Sequence, residues 1–598
     1  MMKRELCVGI IDTMINIESS CFDGRKIRVN YMNEKQIEVK DNWGHGTAVA
    51  SSILQQNKEV SVELFPLFSL KEQVEIDHII STLEYIYYNK SEEIQLINMS
   101  MGITDAPGEK IRILEEICSK LEKKGVIIVA AFDNSGYISY PAAFPSVIGV
   151  DISKEVYSHG QFEYITNSIV NIRGCASPKR VIWNNNQRMI VKGSSFVTPI
   201  ITALISQIMC KGIIEKQRVM DSLKDRAFRV RSFYKKKKRD VKPQFTVKKA
   251  IVLPFNKEIH SLVRYAEYFG LEIIDVYDIK HTMRIGKSVT EILNIPLKKD
   301  FIIKNIDMIE WTKEFDTVII GHVQEIENRI SRKIADNVLE MCRKYKKNVY
   351  MLDKTKVEKD NTVFSPCINW EDIPSENLGK MWRIQTPIVE VLGTRSQIGK
   401  YTLQQEIRIG MKKIGYNVGF LSSEPTGFLL QADGVFPYGY NSSVAVNEDM
   451  YVPIINQMLH EIDVLDKDII VTGGQSGCVP YDLFSYNSIL IPQVAYMYGI
   501  NPDAVILCVA IDDEEEYINR TIDFIESSCN TDVVALMLFP VMYIDYAIGQ
   551  FKKVDISNTV SYKEKLQEME RLYKRPVLEF SQDGIAKCID CIIEFLGD

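Results

Sequence analysis

Short apolar runs, each closed by an acidic residue, a glycine or a polar loop, recur along most of this chain. Residues 6–11 end on Asp12, and residues 388–392 end on Gly393. Residues 250–255, 272–276, 317–320, 348–352, 418–421 and 468–471 have the same character. Continuous apolar runs of this length predict strands buried on both faces, as in parallel sheets. Between them lie amphipathic stretches (258–269, 331–345) and small-residue apolar stretches (48–54, 197–208) with helical spacing. Strand–helix–strand alternation predicts an α/β protein built on mainly parallel sheets.

The chain has 598 residues, a length that predicts three or four domains. Hydrophobic residues make up 46% and charged residues 25%, which is ordinary for globular protein. The net charge of −7 excludes a general nucleic-acid footprint. No apolar stretch reaches membrane-spanning length, and residues 1–5 do not read as a signal segment. Twelve cysteines are scattered without a framework, so the expected location is cytoplasmic. The only C-x-x-C, Cys588 to Cys591, lacks a second pair or a nearby histidine and reads as a helix-face coincidence. No metal site is expected.

Charge is uneven in one place. Residues 224–249 hold twelve Lys or Arg against two acidic residues, centred on Lys235 to Arg239. The stretch reads either as a solvated linker or as a docking patch for an acidic partner.

Four small-residue blocks carry candidate chemistry. They contain Asp12 after its apolar run, His45 in Gly44-His45-Gly46-Thr47, Asn134 in Asp133-Asn134-Ser135-Gly136, and Ser195 in Gly193-Ser194-Ser195. A serine needs a neighbouring base to attack a carbonyl at neutral pH, and that base needs an acid to fix its tautomer. An acyl intermediate also needs donors aimed at its oxyanion. The blocks and their order (the order known for subtilisin) resemble the subtilisin family of serine endopeptidases. The resemblance implies a three-layer α/β sandwich with Ser195 as nucleophile, His45 as base and Asp12 as orienting acid. Asn134 and the Ser195 N–H would hold the oxyanion, and Ser100, Met101 and Gly102 would line an extended peptide. Proteolysis of this kind needs no cofactor. Met14, Ser194, Val197 and the pair Phe132-Asp133 depart from the family pattern. Asp133 either selects a basic residue before the scissile bond or is a turn aspartate.

A second candidate site follows residues 388–392. Gly393-Thr394 to Gly399-Lys400-Tyr401-Thr402 joins a strand to a helix, the arrangement that cradles phosphate on backbone N–H groups. One residue is extra before Gly399, and Tyr401 stands where a Mg²⁺-binding hydroxyl is usual. Gly393, Thr394, Gly399, Lys400 and Thr402 are therefore candidate ligands of a nucleotide or coenzyme A. Residues 250–595 resemble a P-loop group that includes D-amino-acid N-acetyltransferases and, more distantly, dethiobiotin synthetase. Thr472 replaces the acidic residue that this resemblance would place before Gly473.

The expected division is a protease domain over 1–215, a basic linker over 216–248, a Rossmann-like α/β domain over 249–385 and a P-loop α/β domain over 386–598. The whole arrangement resembles maturation proteins of modified peptides in Clostridium-like bacteria. That resemblance implies a peptide or protein substrate, a precursor with an acidic leader, trimmed without nucleic acid or membrane. Oligomeric state is left open. The alternative is a P-loop acyltransferase or ligase whose protease domain only binds peptide.

Overall fold

The computed structural model describes residues 5–31, 44–67, 75–183, 186–234, 242–293, 297–354, 360–481, 490–547 and 550–597. These form two compact units. The first comprises residues 1–236 with 374–383; the second comprises 237–373 with 384–598.

The first unit is built on a nine-stranded sheet. The strand Cys7–Asp12 lies between Ser61–Pro66 and Ile94–Met99, and Ile127–Ala131 and Val147–Ser153 follow outward. Every ladder is parallel except that between Phe162–Thr166 and Ile172–Cys175. Alternate residues face opposite sides, so Val8 and Ile10 pack with the helices His45–Gln56 and Ser194–Cys210, while Ile11 packs with Ile76–Tyr85 and Gly108–Lys123. The result is the expected three-layer α/β sandwich.

Much of the expected basic linker is ordered structure. Lys216–Arg226 is a helix whose Val219 and Leu223, one turn apart, are buried. Arg229–Ser232 adds an edge strand to the nine-stranded sheet beside Phe162–Thr166. One of its charges is neutralised locally: Arg229 pairs with Glu155 and with the fully buried Glu163, which also binds Arg173. Ion pairing to a buried carboxylate explains Arg229, while Lys224, Arg226 and Arg231 stay exposed to solvent. Lys235 to Arg239, the centre of the run, lies outside the described residues.

The second unit holds two parallel sheets. A six-stranded sheet has Lys249–Leu253 at its centre beside Thr317–Ile320. A seven-stranded sheet places Ile388–Gly393 between Ile469–Gly473 and Ala504–Ala510. Chain order changes direction at that central strand, and ligands bind beyond the carboxyl ends of strands at such points.

Candidate functional site

In the first unit the candidate residues converge at the carboxyl edge of the central strands. Asp12 is the last residue of Cys7–Asp12 and is fully buried. Its Oδ1 accepts from the Thr13 N–H at 2.7 Å and lies 2.7 Å from His45 Nδ1. His45 opens the helix His45–Gln56, and its ring stacks at 5.1 Å, tilted, on Phe196. The close approach of that helix depends on Gly46, where a Cβ would fall 2.3 Å from the Thr13 carbonyl oxygen. The Gly46 N–H donates to Thr13 Oγ1 at 2.8 Å and locks the two segments together. Asn42 and Trp43, also part of this block, lie outside the described residues.

Ser195 is the second residue of Ser194–Cys210 and is half-buried, next to the Phe196 that touches His45. Asn134 sits in an exposed turn after Ile127–Ala131. Its Oδ1 accepts from the Ser194 N–H at 3.1 Å, which leaves its Nδ2 as the donor end. Ser194 Oγ also reaches the Phe132 carbonyl at 2.5 Å. Ser194, noted as a departure from the family pattern, thus ties the Asn134 turn to the helix that carries Ser195. Met14, another departure, is buried in the core.

Ser100, Met101 and Gly102 follow the strand Ile94–Met99 and, among the described residues, belong to no ladder until Ile103 pairs with Tyr140. Ser100 Oγ accepts from Asn98, whose Oδ1 accepts from Thr202 of the helix that carries Ser195. Asp133 Oδ1 accepts from the N–H and hydroxyl of Ser135, so this carboxylate caps its own turn.

Lys179, which sequence reading passed over, touches the same helix. Its ammonium donates to the Phe196 carbonyl, and burial lowers its pKa to about 8. It borders a cavity of about 560 Å³ lined by Ser52, Cys175, Val197 and Ile201, behind the helix and away from Asp12.

In the second unit the glycine loop leads into Lys400–Lys413. Gly399 caps that helix at φ 81°, and a Cβ there would lie 2.1 Å from the Phe539 ring, so only glycine fits. Lys400 is buried, its Nζ donates to the Arg395 carbonyl at 2.5 Å, and burial lowers its pKa to about 8. Thr394 Oγ1 donates to Asp513 at 2.6 Å, and Arg395 pairs with Asp512 and Asp513. Gly393 opens the loop, where a Cβ would press on Ile398 and Lys400, and Thr402 is half-buried in the first helical turn. Thr472 is buried against the Tyr496 hydroxyl at 2.7 Å.

Sequence reading also missed a pair in this unit. His322 follows Thr317–Ile320 and Asp353 follows Asn348–Met351, both at the carboxyl edge of the six-stranded sheet. His322 Nδ1 lies 2.6 Å from Asp353 Oδ1, while Asp353 Oδ2 accepts from the Val323 and Gln324 N–H groups. His322 is 6% exposed, and its Nε2 has no hydrogen-bond partner. The half-buried Glu424 has its pKa raised, chiefly by burial and then by Glu258, against smaller opposing effects of Gln475, Lys257 and His322. Two isolated polar residues some thirty positions apart carry no spacing signal; only parallel strand order brings them together.

Among the described residues no cluster of His, Cys, Asp and Glu could hold a metal ion, and no helix is long and apolar enough to cross a membrane. All twelve cysteines are free.

Residues 3–212 match the model of the Subtilase family, and residues 377–538 match that of a domain of unknown function, the DUF1611_C P-loop domain. Among solved structures the chain is similar to the patellamide maturation protease PatA, at 20% identity over 37% of this chain and 85% of that one, TM-score 0.30. It is similar to the nisin leader peptidase NisP from Lactococcus lactis, at 17% identity over 36% and 81%, TM-score 0.29. A DUF1611 family protein from Anabaena variabilis matches at 16% identity over 58% and 100%, TM-score 0.41. No curated protein matches the chain. The fold is α/β throughout: a subtilisin-like parallel-sheet domain, followed by a parallel α/β layer and a P-loop domain.

Proposed function

We propose that the first unit is a serine endopeptidase of the subtilisin type. The observation that carries this reading is the 2.7 Å contact of His45 Nδ1 with the buried Asp12, with the imidazole packed beside the Ser195 turn. With Nδ1 held by Asp12, Nε2 is the nitrogen left to act as base. Ser195 Oγ attacks the scissile carbonyl carbon and its proton passes to His45. The carbonyl π electrons move onto oxygen, where the Asn134 amide and the Ser195 N–H stabilise them. Collapse breaks the C–N bond as His45 returns the proton to the leaving amine. Water then repeats the sequence, releasing the acid and regenerating Ser195. Ser100 to Gly102 would align the peptide through backbone hydrogen bonds.

Within this reading the substrate is a precursor peptide whose leader is removed, with an acidic leader meeting the basic residues after Lys224. The exposed Lys224, Arg226 and Arg231 support that role. The test is labelling of the purified protein with a fluorophosphonate probe. Labelling of wild type and its loss in Ser195→Ala is the expected result; folded wild type that does not label overturns the reading.

A second activity is favoured by the His322–Asp353 pair. We propose that Gly399, Lys400 and Thr402 hold a phosphate of a nucleotide or coenzyme A, while His322 takes a proton from a second substrate. What supports it is the unpartnered, buried Nε2 in a unit that also buries the loop lysine. Calorimetric titration with ATP and with coenzyme A tests it. Binding that Lys400→Ala abolishes and His322→Ala spares is expected; no saturable binding of either ligand overturns it.

A further inference from the structure

The turn that presents Asn134 is held by a part of the chain almost 250 residues away. Pro374–Arg383 belongs to the first unit although both its neighbours in sequence belong to the second. Its Met381 forms a parallel bridge with Tyr137. The Ile138 N–H donates to the Met381 carbonyl at 2.8 Å, and the Met381 N–H donates to the Gly136 carbonyl at 3.1 Å. Lys380 lies beneath the same turn. Its Nζ pairs with Asp151 Oδ2 at 3.1 Å and donates to the Asp133 carbonyl at 3.4 Å, with only 8% of the side chain exposed. It also sits 5.1 Å from the centre of the Phe132 ring. Ser168 Oγ donates to the Glu376 carbonyl at 2.6 Å, and Arg383 pairs with Asp105 at 2.8 Å, anchoring the two ends of the segment.

We propose that Pro374–Arg383 is a working part of the protease site and that Lys380 is a positioning residue for Asn134. The inference rests on the reading of Ser195 as nucleophile. The Asp133 carbonyl belongs to the peptide bond that leads into Asn134, so an ammonium on that oxygen fixes the plane from which Asn134 projects. Asp151 stands on Val147–Ser153, the strand neighbouring Ile127–Ala131, and Phe132 N–H donates to Val150 next to it. Lys380 therefore ties the turn to the sheet. On the other side, Ser194 holds Asn134 Oδ1 and the Phe132 carbonyl. The turn is clamped between the nucleophile helix and the distant segment. Removing the segment leaves two turn carbonyls and one N–H without their partners, and the amide loses the preorganisation on which oxyanion stabilisation depends.

The test is made on the full-length chain, by the second-order rate of Ser195 phosphonylation with a fluorophosphonate probe across pH. Lys380→Met is expected to lower the rate plateau about tenfold, against the ~10²–10³ of losing an oxyanion donor outright. The pH midpoint should stay where it is, because the base is untouched, and Lys380→Arg should restore most of the rate. Because Lys380→Met leaves Asp151 buried and unpaired, the pair Lys380→Met/Asp151→Asn is measured beside it, with thermal unfolding as the check on folding. In an Asn134→Ala background the Lys380 substitution should cost almost nothing further. A full tenfold loss in that background, or no loss in the wild-type background, overturns the positioning role while leaving the protease reading intact. Failure of wild-type chain to label overturns both.

Discussion

Val197 sits in the first turn of the helix that carries Ser195, and the sheet makes room for it at Gly174. A Cβ on Gly174 would come within 2.3 Å of Val197 Cγ1. Gly174→Ala is therefore expected to destabilise the protein by about 1–3 kcal/mol, the usual cost of overpacking a well-filled core. Val197→Ala should offset most of that loss in the double variant, which thermal unfolding of the four chains would measure. Additive losses in the double variant would mean that the two side chains do not meet. This compensation could not be seen along the chain, because a glycine in a strand and a valine in a helix are each unremarked until strand order places them together. Asp12, His45, Asn134 and Ser195 were legible for the opposite reason. Each is surrounded by its own close-approach residues, and those leave a local signature. Lys380 and His322 have no such signature: both meet partners far away in sequence.

At the scale of the element, the strand Ile388–Gly393 and the helix after it carry two buried groups with displaced titrations. Glu390 is fully buried, neither carboxylate oxygen has a hydrogen-bond partner, and burial raises its pKa to about 8. In the unfolded chain it ionises near its ordinary value of about 4.5. Between those values the folded state holds a proton that the unfolded state has lost, so stability falls as pH rises from about 4.5 to 8 and levels off above. Glu390→Gln keeps the shape and abolishes this dependence. It should gain on the order of 4 kcal/mol over wild type above pH 8, with no gain near pH 4. Thermal midpoints over that range that stay parallel in the two chains would refute the neutral-acid assignment. Lys400 runs the other way, its pKa lowered by burial to about 8. Within the proposed phosphate-binding reading, the loop offers a cation below that value and loses it above. Anion affinity is thus expected to fall up to tenfold per unit as pH rises above 8, with uptake of one proton on binding. Titrations at pH 8.5 in buffers of differing ionisation heat would detect that proton. Strand, loop and lysine were readable from glycine spacing, whereas the charge state was not, because it depends on how completely the neighbouring strands cover the loop.

The division of the whole molecule does not follow the division of its sequence. The parallel sheets and their order of appearance were predictable from the apolar runs, since each run closes on a loop that leads to a helix. The expected boundaries treated the chain as beads on a string. The stretch after residue 215 instead extends the first sheet, and ten residues from within the span of the second unit belong to the first. Periodicity could not reveal this, because Ser375 to Arg383 has too little regular structure to show a repeat. Bringing this segment to the turn costs loop-closure entropy, which its contacts there must offset. A chain ending at residue 236 should consequently hold Asp12, His45, Asn134 and Ser195 and still label with a fluorophosphonate at least tenfold more slowly than the full chain. A synthetic peptide of residues 374–383, added in excess, should recover part of the rate, and the same peptide carrying Lys380→Met should recover less. The concentration needed would reflect the effective concentration that the covalent chain supplies. Equal labelling of the short and full chains would show that the segment decorates the turn without ordering it.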